Sequence, residues 1–266
     1  MTRQTNGRLP AAASLTREVP NDTGPVIGPD HPAYVGQKHY TPGFLRIYDT
    51  LVLRIFGPLI WRCPTRRLVQ EYERHVGGRH LDIGPGTGYL IDRAGLRPDT
   101  SVTLLDPNPH VLAYASRRLS RFAPALVQAD VCAGIPGEAR FDSIALNYVL
   151  HCLRGPMSAK ATAIASVARA LEPRGVLFGA TVLGATADHS WLSRRALWEN
   201  NRKGIFSNME DSAQGLRVVL QASFAAHEVQ VVGTVAVFHA SGPVSSPSGS
   251  VTLAVDDLSS RSGSSR

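Results

Sequence analysis

Alternation of strand-like and helix-like segments is the feature that most constrains the fold of this chain. Short runs rich in apolar and β-branched residues recur between segments whose apolar residues have helical spacing. Strands that are apolar on both faces indicate a parallel sheet covered by helices on both sides, so the sequence predicts a doubly wound α/β fold. The expected strands are residues 79–84, 101–106, 125–130, 141–148 and 175–183.

The last strands are expected to pair differently. Residues 227–232 and 234–240 are separated only by Gly233, a connection too short for a parallel crossover and long enough for a hairpin. One strand should therefore run antiparallel to the rest. Upstream of this pair, Pro173 is expected to end the helix that leads into the strand at residues 175–183.

Composition indicates one domain flanked by disordered terminal segments. The chain has 266 residues, of which 43% are hydrophobic, enough to fill one sizeable core. Residues 1–36 have no apolar periodicity and residues 241–266 are dominated by Ser and Gly, so a disordered leader and a disordered tail are expected. Residues 37–240 would form the domain, beginning with a helix that Thr41 caps and Pro42 opens.

The first predicted strand runs into a turn that contains Gly84, Gly86 and Gly88. Ligands of parallel sheets bind beyond the carboxyl ends of the strands, and glycine lets the main chain turn tightly and approach a ligand without a Cβ. The spacing is one residue tighter than the dinucleotide fingerprint G-x-G-x-x-G. Asp82, just before the turn, would repel a pyrophosphate but suit an ammonium or a sulfonium.

Two further acidic residues are placed to recognise an adenosyl group. Asp106 ends the second predicted strand, where a carboxylate can accept hydrogen bonds from both ribose hydroxyls. Asp130 ends the third, where it can accept one from an adenine amino group, and its neighbour Val131 offers a backbone N–H and an apolar surface. These groups together fit S-adenosyl-L-methionine, and an NAD-dependent reductase is a distant alternative.

Four segments in this order, LDIGPGTG, LLDPNP, QADV and FDSIALNYVLH, resemble the motifs of class I S-adenosylmethionine-dependent methyltransferases, and the resemblance covers residues 37–240. Two more segments, YDTLVLRIFGPLIWRCPTRR and NRKGIFSNMEDS, are similar to a subgroup of small-molecule methyltransferases from bacteria and fungi. The resemblance implies a Rossmann-like, mostly parallel sheet of seven strands that ends in a reversed hairpin. It also implies an N-terminal helical lid over the cofactor.

The residue pattern and the resemblance together give the expected site. The cofactor would contact Asp82, Gly84, Pro85, Gly86, Asp106, Pro107, Asp130, Val131, Asn147 and Tyr148. The lid and the acceptor site would contain Tyr40, Tyr48, Trp61, Arg62, Asn201 and Phe206. The resemblance further suggests that Arg62 pairs with the carboxylate of the cofactor.

Methyl transfer from a sulfonium needs no nucleophile on the enzyme, but an acceptor hydroxyl or carbon can require a base. His151 follows the fourth predicted strand, near the expected place of the sulfonium, so it is the candidate catalytic base. The alternative is that His151 only orders the pocket or packs in the next helix. No histidines have metal-binding spacing, and Cys152 should point away from His151, so neither a metal nor a catalytic thiol is expected.

Charge and cysteine content limit the classes of partner and the cellular compartment that the sequence predicts. The net charge is +7, but no Lys/Arg block resembles a nucleic-acid-binding arm, so nucleic acid is not the expected partner. Three cysteines without a C-x-x-C spacing fit a reducing cytoplasm. The longest apolar stretch, residues 51–61, is interrupted and too short to cross a bilayer, so no membrane partner is expected. The sequence does not predict the oligomeric state.

Three functions remain open. The leading hypothesis is methyl transfer to an O, N or C atom of a small aromatic or heterocyclic metabolite. The second is RNA methylation, which only the basic charge of the domain favours. The third is a protein that binds the cofactor without methylating anything, such as a cyclase or a regulator.

Overall fold

The computed structural model describes residues 49–185 and 188–244, together with Gly43 and Leu45. Outside the described residues lie the expected leader, most of the expected tail, and the predicted helix start and lid residues Thr41, Pro42, Tyr40 and Tyr48.

The sheet contains β1 (Arg79–Ile83), β2 (Ser101–Leu105), β3 (Ala125–Val127), β4 (Phe141–Asn147), β5 (Leu171–Val182), β6 (Phe224–Val232) and β7 (Val235–Pro243). These seven strands lie in the order β3-β2-β1-β4-β5-β7-β6. The first five run parallel, and β7 runs antiparallel to both β5 and β6. The predicted doubly wound sheet with a reversed last strand is confirmed. Its strand order changes direction between β1 and β4, where such sheets bind their ligands.

Helices cover both faces of the sheet. In the described part of the chain they are α1 (Asp49–Ile60), α2 (Thr65–His75), α3 (Tyr89–Arg93), α4 (Pro109–Arg118), α5 (Met157–Ala170), α6 (Trp191–Arg202) and α7 (Ala213–Ser223). Residues of α5 and α7 share a core cluster with Leu81 and Ile144, whereas residues of α2, α3 and α4 pack with Leu104 and Phe178. The two clusters follow the alternation of strand side chains between the faces of a sheet.

None of the helices in the described residues is both long and apolar enough to cross a bilayer.

The tip of the β6–β7 hairpin packs against the residue that follows α1. Gly233 has φ +61°, and a Cβ at this position would lie 2.3 Å from the carbonyl oxygen of Trp61. Thr234 donates its backbone N–H (2.9 Å) and its hydroxyl (3.2 Å) to the same oxygen. The end of α1, itself a wide π-type helix that contains Pro58, is therefore fixed to the C-terminal hairpin.

The prediction that Pro173 ends a helix is wrong. α5 runs directly into β5, and Pro173 lies inside that strand. The pairing of β4 with β5 shifts there, from Phe141 opposite Leu171 to Ser143 opposite Val176. Proline has no N–H to donate, so an irregular part of the ladder is where a strand tolerates it.

Two strand ends also differ from the prediction. β3 ends at Val127, so Asp130 lies in the loop beyond the strand and not at its last position. β7 continues to Pro243, past the expected domain end at residue 240.

Candidate cofactor and acceptor site

A crevice of about 340 Å³, open to solvent, lies at the carboxyl ends of β1 and β4. It is bounded by the glycine turn after β1, by the end of β4, and by side chains from α1, α2 and α3. Five residues predicted to bind the cofactor line it: Gly84, Pro85, Gly86, Asn147 and Tyr148.

The glycine turn has a backbone that other residues rarely adopt. Gly84, Gly86 and Gly88 have φ of +65°, +56° and +75°. A Cβ on Gly84 would lie 2.5 Å from the Cγ2 atom of Val149, so a side chain there would collide with the segment after β4. The turn is closed by a hydrogen bond from the Gly88 N–H to the Pro85 carbonyl at 2.9 Å. Glycine is therefore required by the turn itself.

Asp106 lies buried directly after β2. Its Oδ1 accepts the backbone N–H of Asn108 at 2.7 Å across the intervening Pro107. Burial is the main cause that raises the pKa of this carboxyl to about 7; the hydrogen bond from Asn108 partly offsets it, and the negative charges of Asp130 and Asp82 add to it. No ion pair to Asp106 occurs within the described residues, so its charge is not compensated there.

Asp82 is also buried, at the end of β1 that leads into the glycine turn. It accepts a hydrogen bond of 2.7 Å from the hydroxyl of Tyr72, which in turn accepts one of 3.3 Å from the Asn147 amide. Burial raises the pKa of Asp82 to about 7, and the bond from Tyr72 partly offsets this. The buried Oδ1 of Asn147 has no hydrogen-bond donor among the described residues. The network therefore contains one buried acceptor that the described residues leave without a donor.

Asp130 and Val131 lie in the loop after β3. Asp130 accepts the N–H of Cys132 at 2.8 Å, and its charge acts on Asp106. Val131 is buried and packs into the core. The structure thus places Asp130 close to Asp106, as the sequence pattern requires, but from a loop.

His151 lies in a short 3-10 turn just after β4 and is buried. Its Nδ1 accepts the backbone N–H of Val182 at 3.2 Å. Burial lowers the pKa of the imidazole to about 3, and the positive charge of Lys160 contributes, so the ring is neutral at ordinary pH. A neutral ring whose Nδ1 accepts a hydrogen bond carries its proton on Nε2.

Aromatic rings surround His151. The ring of Phe206 lies edge-on to it at 4.3 Å between centroids, and the ring of Tyr148 at 5.7 Å. Trp61 lies 6.0 Å from Phe206 and packs in the same apolar cluster as Tyr148. Tyr148 has φ +58°, a strained conformation for a residue with a side chain, which turns the chain at the carboxyl end of β4. The structure thus brings together the catalytic candidate and three predicted pocket residues.

Two other predicted residues have their polar groups engaged within the protein. The Asn201 amide donates to Asn208 Oδ1 at 2.9 Å and accepts the Asn208 N–H at 3.1 Å, which braces the segment that carries Phe206. Arg62 is partly exposed and pairs with Asp188 at 3.4 Å. The predicted pairing of Arg62 with a cofactor carboxylate would therefore have to use the nitrogens that do not contact Asp188, or replace that contact.

The sequence analysis did not single out the residues that join α1 to the glycine turn. Asp49, at the start of α1, pairs with Arg118 of α4 at 2.6 Å and accepts a hydrogen bond from Thr87 of the turn. Arg118 also donates to the Thr87 hydroxyl at 2.9 Å. We call Asp49, Thr87 and Arg118 the latch. Thr87 and Asp49 lie in two of the segments quoted above, but the sequence assigns neither a role, and like Tyr72 they are revealed only by their three-dimensional contacts.

Comparison with known proteins connects this geometry to an activity. Residues 81–177 match a family model described as a methyltransferase domain. Demethylluteothin O-methyltransferase of Streptomyces thioluteus is 38% identical over 207 residues, which cover 77% of this chain and 90% of that protein. The chain is a methyltransferase of this family. A physcion biosynthesis cluster O-methyltransferase of Aspergillus chevalieri is 36% identical to the methyltransferase over 219 residues, covering 80% and 97% of the two chains.

A solved structure supports the fold of the methyltransferase. The N-methyltransferase NodS of Bradyrhizobium japonicum WM9, in complex with S-adenosyl-L-homocysteine, matches with a TM-score of 0.51 over 68% of this chain and 88% of its own. At 18% identity the likeness concerns the Rossmann-like fold. Together with the relatives, it makes this enzyme a class I small-molecule methyltransferase.

Proposed function

We propose that the methyltransferase transfers a methyl group from S-adenosyl-L-methionine to an O, N or C atom of a small aromatic or heterocyclic metabolite. The assignment of S-adenosyl-L-methionine as the methyl donor rests on the buried hydrogen-bond acceptors beside the glycine turn. Asp82 and Asp106 have no cationic partner in the described part of the chain, and Asn147 Oδ1 has no donor there. A ligand with an ammonium, a sulfonium and a ribose diol supplies what these groups lack.

Each cofactor-binding residue then has a role that its position allows. Asp106 would accept hydrogen bonds from the ribose hydroxyls, and Asp130 one from the adenine amino group. Asn147 Oδ1 would accept one from the ammonium group, with the negative charge of Asp82 behind it. The bare main chain at Gly84 and Gly86 would let the ligand approach closely. The bound cofactor supplies the electrophilic methyl carbon, so the protein mainly orients the two reactants and excludes water.

The acceptor class follows from the rings around His151. Trp61, Tyr148 and Phe206 pack in one apolar cluster beside the carboxyl end of β4, and Tyr148 also lines the crevice. Such a cluster favours a planar acceptor, because aromatic rings pack well edge-to-face or with an offset. The relatives named above methylate oxygen by their names, which makes a phenolic hydroxyl the first acceptor to test.

Labelled cofactor tests this function directly. The enzyme is incubated with methyl-labelled S-adenosylmethionine and matched phenols, aryl amines and aliphatic alcohols, and products are analysed by mass spectrometry. We expect a gain of one methyl group on an aromatic acceptor. Absence of S-adenosylhomocysteine binding in calorimetry would refute the donor assignment, whereas labelling of aliphatic alcohols alone would refute the aromatic acceptor.

The size of the loss in kcat on substitution of His151 can decide its role. In the tautomer described above Nε2 is a donor, so we propose that His151 orients the acceptor, in place of the base role predicted from the sequence. Loss of a neutral hydrogen bond lowers turnover by about tenfold, whereas loss of a general base lowers it by about 10²–10⁴-fold. We therefore expect His151→Ala to lose about tenfold in kcat and His151→Gln, which keeps a donor, to recover part of it. A loss above about a hundredfold in both variants would restore the base role.

A further inference from the structure

The solvent-facing side of α6 is rich in exposed aromatic and apolar residues. Trp191 is 70% exposed, Trp198 53% and Leu192 44%. Trp191, Arg195, Trp198 and Arg202 recur at spacings of four, three and four residues and therefore share one face of the helix. The opposite face carries the buried residues Ser193 and Leu197.

The same face is strongly basic. Arg194, Arg195, Arg202 and Lys203 are all exposed. The only acid on the helix, Glu199, is shared between Arg202 at 2.9 Å and Arg195 at 3.9 Å. The guanidinium of Arg202 lies 5.3 Å from the centre of the Trp198 ring. Alternating cations and indole rings thus form one continuous surface.

A neighbouring helix extends the apolar part of this surface. α1 contacts α6, and it exposes Leu59 (68%) and Ile55 (40%). We call the exposed residues of α6, with Lys203, Leu59 and Ile55, the α6 face. It lies on the convex outside of a helix, where large aromatic residues are rarely left without a partner.

We propose that the α6 face docks on an anionic lipid bilayer, with α6 lying in the plane of the interface. Indole rings prefer the headgroup region of a bilayer, and guanidinium groups bind lipid phosphates. A second copy of this chain fits poorly, because a symmetric interface would place the cations of one α6 against those of the other. A bilayer also needs no concave partner surface to cover two tryptophans that project from one helix.

This docking revises the expectation of no membrane partner, and it concerns a surface and not a span. α6 ends at Arg202, and the segment that follows it carries Phe206 to the acceptor site. A docked enzyme would thus face the bilayer near its acceptor pocket and could take apolar acceptors from the lipid phase. That consequence rests on the proposed function, whereas docking does not, because it is measured without cofactor or acceptor.

Vesicle binding tests the proposal. The full chain is mixed with vesicles of phosphatidylcholine alone or of phosphatidylcholine and phosphatidylglycerol in equal parts, and bound protein is measured by co-sedimentation at low and high salt. We expect binding to the anionic vesicles only, weakened by salt. A blue shift of tryptophan emission should accompany it, carried by Trp191 and Trp198, because Trp61 is already buried.

Two variants make the test specific. Trp191→Ser with Trp198→Ser should weaken co-sedimentation with anionic vesicles, and Arg194→Glu with Arg195→Glu should weaken it at least about tenfold. The controls are Val218→Ser, an exposed apolar residue of α7, and Arg117→Glu with Arg169→Glu, exposed cations of α4 and α5. Absence of binding to anionic vesicles overturns the proposal, and so does equal loss in the matched controls. Concentration-dependent dimers that the tryptophan variant abolishes, without vesicle binding, would assign the face to a second copy instead.

Discussion

The protein holds buried carboxylates in two opposite ways. Glu71 of α2 is surrounded by Arg67, Arg74 and His75, which overcome the effect of burial and lower its pKa. Asp211 accepts a hydrogen bond from the buried Lys160, and both side chains are almost fully inaccessible. Beside the crevice, by contrast, the buried Asp82 and Asp106 have hydrogen-bond donors but no cation in the described residues, and burial raises the pKa of each to about 7.

This difference distinguishes carboxylates that stabilise the fold from carboxylates that are available to bind a ligand. A buried charge without a partner costs free energy, so a carboxylate that only supports the fold is expected to be paired, as Glu71 and Asp211 are. Asp82 and Asp106 keep that cost in the ligand-free protein. A cationic ligand with several donors would remove it on binding, and this links the electrostatics of the crevice to its proposed function.

The largest effect is expected when a paired carboxylate is made to resemble the unpaired ones. Lys160→Met leaves Asp211 buried and uncompensated, and it removes the 2.7 Å hydrogen bond to the Ser207 carbonyl. We expect a loss of about 3–5 kcal/mol in the free energy of unfolding, measured by urea denaturation. Adding Asp211→Leu should recover part of it, because an apolar pair needs no compensation.

The matched control for this substitution is Arg79→Met. Arg79 pairs with Asp142 and Glu172 on the surface, where its side chain is 52% exposed. An exposed pair contributes about 0–1 kcal/mol. If the two variants lost equal stability, the contrast between buried and exposed pairing would not hold here.

The second prediction removes an unpaired carboxylate from the crevice. Asp106→Ala should weaken the binding of S-adenosylhomocysteine by about 1.5–3 kcal/mol, a tenfold to hundredfold rise in Kd, because charge-assisted hydrogen bonds to the ribose are lost. Stability without ligand should change little, because removal of an uncompensated charge offsets the loss of the hydrogen bond from the Asn108 N–H. Calorimetry and thermal unfolding measure the two quantities separately. A variant that is destabilised but binds normally would contradict the assignment of Asp106.

The third prediction concerns pH. The folded-state pKa of Asp82 and Asp106 is about 7, above the ordinary value of 3.8, so these groups take up protons on folding between these two pH values. Their contribution to stability therefore falls as pH rises from about 4 to 7 and is constant above that range. Binding requires the ionised Asp106 carboxylate, so this group alone should raise affinity for the cofactor about tenfold between pH 6 and 8, with proton release detectable by calorimetry in two buffers. Asp106→Ala should flatten this rise, and an unchanged pH profile in that variant would exclude Asp106 as its source.

The sequence can predict the features of the fold and of the site that local patterns encode. Apolar periodicity located the strands of the sheet, because each buried strand is a local pattern. The glycine turn and the acid after β2 were placed correctly because the turn needs positive φ and the carboxyl ends of parallel strands meet at one edge. Asn108 caps α4 as its place before Pro109 indicates.

What the sequence could not show depends on contacts between distant segments. Tyr72 lies in an ordinary amphipathic helix, and only the packing of α2 on the sheet brings its hydroxyl to Asp82. The sequence has no metal-binding spacing, yet Glu71, His75 and His239 meet with ligand atoms within 4.8 Å of one another, because β7 lies beside β5. The hydrogen bond from Asn201 to Asn208 likewise depends on the fold of the segment after α6, whose sequence has no regular apolar pattern.

The smallest effect is expected at the latch, where the carboxylate of Asp49 in α1 contacts the glycine turn and α4. Asp49→Asn removes the ion pair with Arg118 but keeps an oxygen that accepts the Thr87 hydroxyl. Both charged side chains are about one-fifth exposed, so we expect a change of about 0.5–1 kcal/mol, seen as a twofold to fivefold faster dissociation of S-adenosylhomocysteine in stopped-flow measurements. Asp99→Asn, which breaks an exposed pair with Arg97, is the control and should leave the dissociation rate unchanged. Equal rates in the two variants would show that α1 covers the crevice without holding the cofactor in it. The free energy that retains the cofactor would then come from the unpaired acceptors alone.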